Sequence, residues 1–214
     1  FSGLSIFLFL QVLIILVSTF QRLALYEDAY GFSRLRTYTH LFIPWLGALL
    51  IAVILWEILQ KQGHFVLTFA IFASGFVLTC IAVNIDGFIA QRNIQRAVQS
   101  QQEGYLLDFN YLTELSNDAV PAMLSGYLAT QNAVGETHVL LGAALACRMH
   151  TFRVETAKPW QAFNLSDSNA ILSLNRYNEE WAQYPVSESV ESWQGTAVQA
   201  GSTTYFCSYN NFMD

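Results

Sequence analysis

Residues 21–40, QRLALYEDAYGFSRLRTYTH, set Glu27, Asp28, Arg34, Arg36 and His40 among three tyrosines, between two stretches that are almost wholly apolar. Carboxylates facing guanidinium groups beside a membrane can bind or turn over a charged ligand. They can also cancel one another and fix the turn between two helices. Glu27 and Asp28 stand where Arg34 and Arg36 can reach them across Gly31, and this favours a structural elbow over a reactive site. Such an elbow would orient the two spans it joins and dock the later segment that carries Arg92 and Arg96.

The other candidates for chemistry are weaker. His40, His64, His138 and His150 do not fall in HExxH or any cysteine-paired ligand spacing, so neither metal nor haem ligation is expected. On one helix His138 and His150 would stand roughly 18 Å apart by helix rise. Asp108, Glu114 and Asp118 resemble paired acids, but Ser116-Asn117 reads as a helix boundary between the last two. Asp118, three residues before Pro121, reads as a cap for the next helix. Cys80, Cys147 and Cys207 lie far apart and read as ordinary thiols in a reducing compartment. No nucleophile elbow, phosphate-binding loop or dinucleotide fingerprint occurs. No catalytic residue, metal or cofactor is assigned.

The elements that must position these residues are dominated by lipid-like composition. The chain is 53% hydrophobic and 12% charged, with mean hydropathy +0.33, against about a quarter charged in a soluble domain. Runs at about 1–20, 41–59 and 65–83 carry a single acidic residue and no lysine or arginine. Each is long enough to cross a hydrocarbon core of ~30 Å. Trp45 and Trp56 lie near the two ends of the second run, and Pro44 falls in its opening turn. The first run begins at Phe1 with no basic segment before it, which suggests that further sequence lies upstream.

Three alternating spans put the 21–40 loop and everything after residue 83 on one side. That side carries Arg22, Arg34, Arg36, Arg92 and Arg96 near the membrane, against Lys61 on the other. The positive-inside bias then places the C-terminal part in the cytoplasm. Residues 84–99 read as an interfacial helix or a continuation of the third span, with Arg92 and Arg96 as snorkelling stems. Further helices are expected in 106–131, in two pieces, and in 136–155 and 165–184, the last capped by Ser166 or Ser168. The expected fold is all-α: a membrane region at 1–83, a small cytoplasmic helical domain at 84–185 and an irregular tail at 186–214. A net charge of -6 without a basic stripe disfavours nucleic acid.

LALYEDAYGFSRLRTYTH, NIDGFIAQRNIQR, DFNYLTELSNDAVPAM and the WQAFNLS of residues 160–166 occur in that order. Together they resemble a bacterial family of polytopic membrane proteins known only as a domain of unknown function, and the expected setting is the bacterial inner membrane. The resemblance implies further membrane helices upstream and assigns no activity. Its recurring residues include Glu27, Arg34, Arg36, Asp118 and Trp160. With Asp28, Arg92 and Arg96, they are the structural or interaction candidates.

The expected function is that of an integral membrane scaffold or accessory subunit. Small residues at Gly47, Ala48, Ala73, Ser74 and Gly75 would admit neighbouring membrane helices, and the tail would organise a cytoplasmic partner. The alternative is the C-terminal part of a membrane sensor, transporter or enzyme whose working residues lie upstream.

Overall fold

The computed structural model describes residues 2–60, 62–99, 107–131, 135–154, 161, 163–188 and 196–207. They form two compact units, Phe1–Ile85 and Asp86–Asp214.

The first unit holds three helices long and apolar enough to cross a membrane: α1 (Ser2–Tyr30), α2 (Arg34–Ile58) and α3 (Phe65–Ala82). Helix α2 packs against both α1 and α3. The charged loop expected at 21–40 is only Gly31–Ser33, because α1 continues through Arg22, Leu25 and Glu27, all good helix formers. Gly31 ends it at φ +82°, a conformation open to glycine, and donates its N–H to the Glu27 carbonyl at 2.9 Å. Since α2 starts at Arg34, Pro44 lies inside the helix rather than in its opening turn. Its missing N–H removes the bond that the His40 carbonyl would accept. Between α2 and α3, the Trp56 indole donates to Thr68 Oγ1 at 2.8 Å and stacks on His64. Gly75 of α3 lies directly under the Trp45 ring, so one of the small residues expected to face other proteins is used within the chain.

The second unit is mostly helical. Val83, in extended conformation, ends α3, and α4 (Ile85–Gln99) follows as a separate helix. Ile89, Ala90, Ile94 and Ala97 of α4 are buried within the protein, while Arg92 is exposed. Then come α5 (Phe109–Glu114), a 3-10 turn at Asn117–Ala119, α6 (Val120–Ala129), α7 (Glu136–Val154) and α8 (Leu165–Asn175). Pro121 sits in the first turn of α6. Asp108 caps α5 by accepting from the Tyr111 N–H at 3.1 Å. The cap of α8 is Asn164, which accepts from the Ser166 N–H at 2.9 Å; Ser166 and Ser168 lie inside the helix. Helix α7 is the hub, buried continuously from Leu140 to Cys147 and packed against α5, α6, α8 and the strands.

The fold is not all-α, and residues 186–214 are not wholly irregular. Strands β1 (Val186–Glu188), β2 (Thr196–Ala200) and β3 (Thr203–Cys207) form an antiparallel meander in the order β1-β2-β3. Gly201, at φ +62°, turns β2 into β3 with Ala200 paired to Thr203. β2 buries Thr196, Ala197, Val198 and Ala200 and packs on α7. A disulfide joins Cys147 of α7 to Cys207 of β3 across 60 residues, with Cα atoms 5.7 Å apart. This overturns the expectation that both are free thiols; Cys80, in α3, is free.

Candidate functional site

The elbow is built from the C-terminus of α1 and the first turns of α2. Glu27 is 4% exposed, and its Oε2 lies 2.9 Å from His40 Nδ1. The His40 ring meets Phe20 edge-on, with centroids 4.2 Å apart. Arg36 donates to the Gly31 carbonyl at 2.9 Å, and its guanidinium lies 5.8 Å from the centre of the Tyr30 ring. Glu27 is thus held by a histidine one helical turn beyond Arg36, and Arg36 satisfies a carbonyl left open where α1 ends. Asp28 is exposed at the end of α1, and Arg34 is half-buried in the opening turn of α2. Neither the histidine partner nor the carbonyl partner was assigned from the sequence, although His40 stands two turns into a helix that the 3.6-residue period could have placed.

The remaining candidates fall in the second unit. Arg92, exposed on α4, lies over the Phe88 ring at 5.4 Å, one turn away. Arg96 is half-buried in the last turn of α4, where its charge complements the helix dipole. Asp118 is the middle residue of the 3-10 turn, and its Oδ2 accepts from Ser116 Oγ at 3.5 Å. Trp160 lies outside the described residues.

A cleft of about 520 Å³ runs between the α5–α6 corner, α7, the start of α8 and the strands β2 and β3. Arg148 of α7, a residue not singled out in the sequence, organises its floor. Its Nη2 donates to the Thr113 carbonyl at 2.8 Å and to the Leu115 carbonyl, and its Nη1 donates to Asn117 Oδ1 at 3.3 Å. These carbonyls end the short helix α5, where no following turn can use them. Asn117 passes the network on, donating from Nδ2 to Asp167 Oδ1 at 2.7 Å. Asp86 Oδ2 holds the same corner from the other direction, accepting from the Ser116 N–H at 2.7 Å. His150, Thr151, Asn164 and the Cys147–Cys207 bridge complete the lining. Ser166 Oγ is buried on this wall without a hydrogen-bond partner among the described residues. The cleft can hold a polar molecule through hydroxyl, amide and carboxylate groups. Its two cysteines, being bonded, supply no thiolate. Among the described residues no group of three His, Cys, Asp or Glu side chains could hold a metal ion.

A second polar cluster is buried where α6, α7 and the 3-10 turn at Glu180–Gln183 meet. Tyr127, 1% exposed, donates to Glu180 Oε2 at 3.2 Å and accepts from Gln183 Nε2 at 2.9 Å. Its ring stacks on His138 at 4.2 Å and packs against Trp181. His138 Nδ1 lies 3.1 Å from the Tyr127 carbonyl, which can only accept, so that nitrogen carries the proton in this contact. Burial pushes the Tyr127 hydroxyl well above the usual tyrosine range, and Tyr184 and Glu180 push it further. Tyr184 is also raised by burial, its bond with Tyr127 opposing and Glu180 adding to the shift. Gly142 is required here, because a Cβ at that position would lie 2.2 Å from the Tyr184 ring.

No curated protein and no solved structure matches the chain. A family model does match, over residues 1–126. That stretch takes in the three membrane-length helices, the elbow and the Thr113–Asp118 wall of the cleft, and it ends in α6, short of Arg148, Asp167 and both bridged cysteines. With more than half of its length matched, the chain belongs to the family described as a domain of unknown function (DUF4153).

Proposed function

We propose that the chain is an integral membrane scaffold or accessory subunit, whose spans pack against other membrane helices and whose C-terminal unit presents the cleft to a protein partner. The observation that carries this reading is the use made of its polar side chains. Arg148, Arg36, Asp86, Asp108 and Asn164 all bind backbone groups of the chain itself, as residues that shape a surface do. Membrane-facing area is ample: Leu4, Ile14, Val66 and Ile81 are each more than 60% exposed. A Cβ built on Gly47 would meet nothing within 4 Å, which leaves room for a neighbouring helix at that point of α2. The bacterial inner membrane is the setting this reading implies. The arginine count would place the partner in the cytoplasm, whereas the Cys147–Cys207 bridge opposes that side.

A second reading, part of a membrane sensor, draws support from the cleft volume and from the buried Ser166 hydroxyl on its wall, which has no partner among the described residues. Native mass spectrometry of the gently solubilised protein separates the two. A stoichiometric complex with a second polypeptide is expected. A lone polypeptide, with or without a retained small molecule, overturns the scaffold reading.

A further inference from the structure

We propose that the C-terminal unit folds on the oxidising, non-cytoplasmic side of the membrane, where a protein disulfide donor creates the Cys147–Cys207 bridge. Cys147 sits on α7, the most buried helix of the unit, at 3% exposure, and Cys207 ends β3 at 8%. The bond therefore joins the core to the last described strand, within the wall of the cleft. The ring of Tyr205, two residues earlier, lies 4.7 Å from that of Phe109 on α5, so β3 is seated on the helical core at the point where the bond ties it down. A pair brought together from 60 residues apart and enclosed by the fold has the character of a structural bond. Such bonds form and persist in oxidising compartments and are rare where glutathione and thioredoxin keep thiols reduced.

The chemistry is a two-electron exchange. A thiolate of one cysteine attacks the donor's disulfide to give a mixed disulfide, and the second cysteine displaces the donor. The two thiols lose two protons and two electrons in total, and the donor leaves as a dithiol.

The opposing observation is the arginine count. The segment that carried three of the five arginines is not a loop. Arg22 lies within α1, and Arg34 and Arg36 lie in the first turn of α2. Arg36 is held by the Gly31 carbonyl and the Tyr30 ring, and Arg92 by Phe88. These contacts account for cations at those positions whichever side they occupy. The charge rule counts cations near the ends of the spans as well as in short loops, so Arg22, Arg34 and Arg36 still count although they lie in helices, and the rule and the bridge make opposite assignments.

Two measurements on the full chain test the proposal. Cells are quenched in acid, and thiols are counted by the mass added by a polyethylene-glycol maleimide. One modification, at Cys80, is expected before reduction, and three are expected after it. Separately, a Ser202→Cys variant, at the exposed β2–β3 turn, is treated in intact spheroplasts with a membrane-impermeant maleimide. Full labelling without lysis is expected. Three modifications before reduction, or labelling of the Ser202→Cys variant only after lysis, overturns the proposal. Neither readout depends on whether a partner is found in the native complex.

Discussion

In Phe1–Ile85 the buried side chains include Glu27, Thr37 and Thr68, while Leu, Ile, Val and Phe along all three helices are exposed. In Asp86–Asp214 the order is reversed: Leu112, Leu115, Met123, Leu141, Leu145 and Val198 are each below 2% exposed. The same chain is thus inside-out in one half and conventional in the other. What differs is the solvent each half is built for. Lipid gives no reward for hiding a leucine, so the spans are held by shape and by a few internal polar contacts such as Trp56 to Thr68. Water does give that reward, so the second unit is held by a hydrophobic core, to which buried polar groups must be fitted with partners.

That contrast predicts where covalent and polar ties matter. Replacing both bridged cysteines by serine removes a closure spanning 60 residues, a stabilisation of about 4 kcal/mol by loop entropy. Amide exchange followed peptide by peptide is expected to accelerate through α7 and the three strands and to stay unchanged in α1–α3. Acceleration that reaches the spans equally would break the comparison, because it would make the halves one cooperative body.

Arg148→Met keeps most of the packing volume and removes the donors to the Thr113 and Leu115 carbonyls and to Asn117. Breaking a part-buried charged network costs about 3 kcal/mol. The urea midpoint of the second unit is expected to fall, with α5 and the Asn117–Ala119 turn exchanging first. If those segments are no faster than α8, the arginine does not organise the cleft.

Legibility from sequence also divides at the unit boundary. The spans were readable because about twenty consecutive apolar residues have few alternatives, although Gly31, with its positive φ, decided how far α1 runs. Helices α5 to α7 were readable from spacing and Pro121, whereas Asp118, expected to cap α6, lies inside the preceding 3-10 turn, and the N-cap is Ala119 with no side-chain bond. The strands were missed because β1 is three residues long and β2, TAVQA, buries four of its five residues, so no alternation shows. The turn signal Gly201-Ser202 before TTYF was the available clue. The bridge was missed because cysteine spacing does not encode pairing. Arg148 was missed because two of its partners, the Thr113 and Leu115 carbonyls, are backbone groups, which are the same for every residue type and leave no trace in the sequence.

Glycine substitutions sharpen the comparison at smaller scale. Gly142→Ala drives a Cβ into the Tyr184 ring, which is 6% exposed. Overpacking there is expected to cost about 2 kcal/mol. Gly75→Ala meets the Trp45 ring at 2.4 Å, yet Trp45 is half-buried and can swing toward lipid. Its cost is expected to be under about 1 kcal/mol, partly offset by the helix preference of alanine. Thermal unfolding in detergent distinguishes them, with Gly47→Ala as the unhindered control. Equal losses at Gly142 and Gly75 would mean that the spans are packed as rigidly as the core.

A small effect at neutral pH is expected from Tyr127→Phe, and its value lies in its pH dependence. The variant loses the bonds to Glu180 and from Gln183, about 1 kcal/mol in net terms. In the folded protein, burial and the neighbouring Tyr184 and Glu180 hold the Tyr127 hydroxyl above the ordinary tyrosine value of 10.0, so the unfolded chain releases that proton first. Above pH 10 the unfolded state therefore binds fewer protons than the native state, and stability falls as pH rises. The contribution is intact below pH 10 and is lost as pH climbs through the higher folded value. The urea midpoint of the second unit, followed from pH 8 to about 11.5, is expected to decline more steeply in the native protein than in Tyr127→Phe. The residual slope of the variant belongs to Tyr184 and Tyr205, whose hydroxyls are also raised by burial. Parallel curves for the two proteins would mean that Tyr127 is solvated in the fold, and that the second unit does not enclose its polar groups as a water-facing core must.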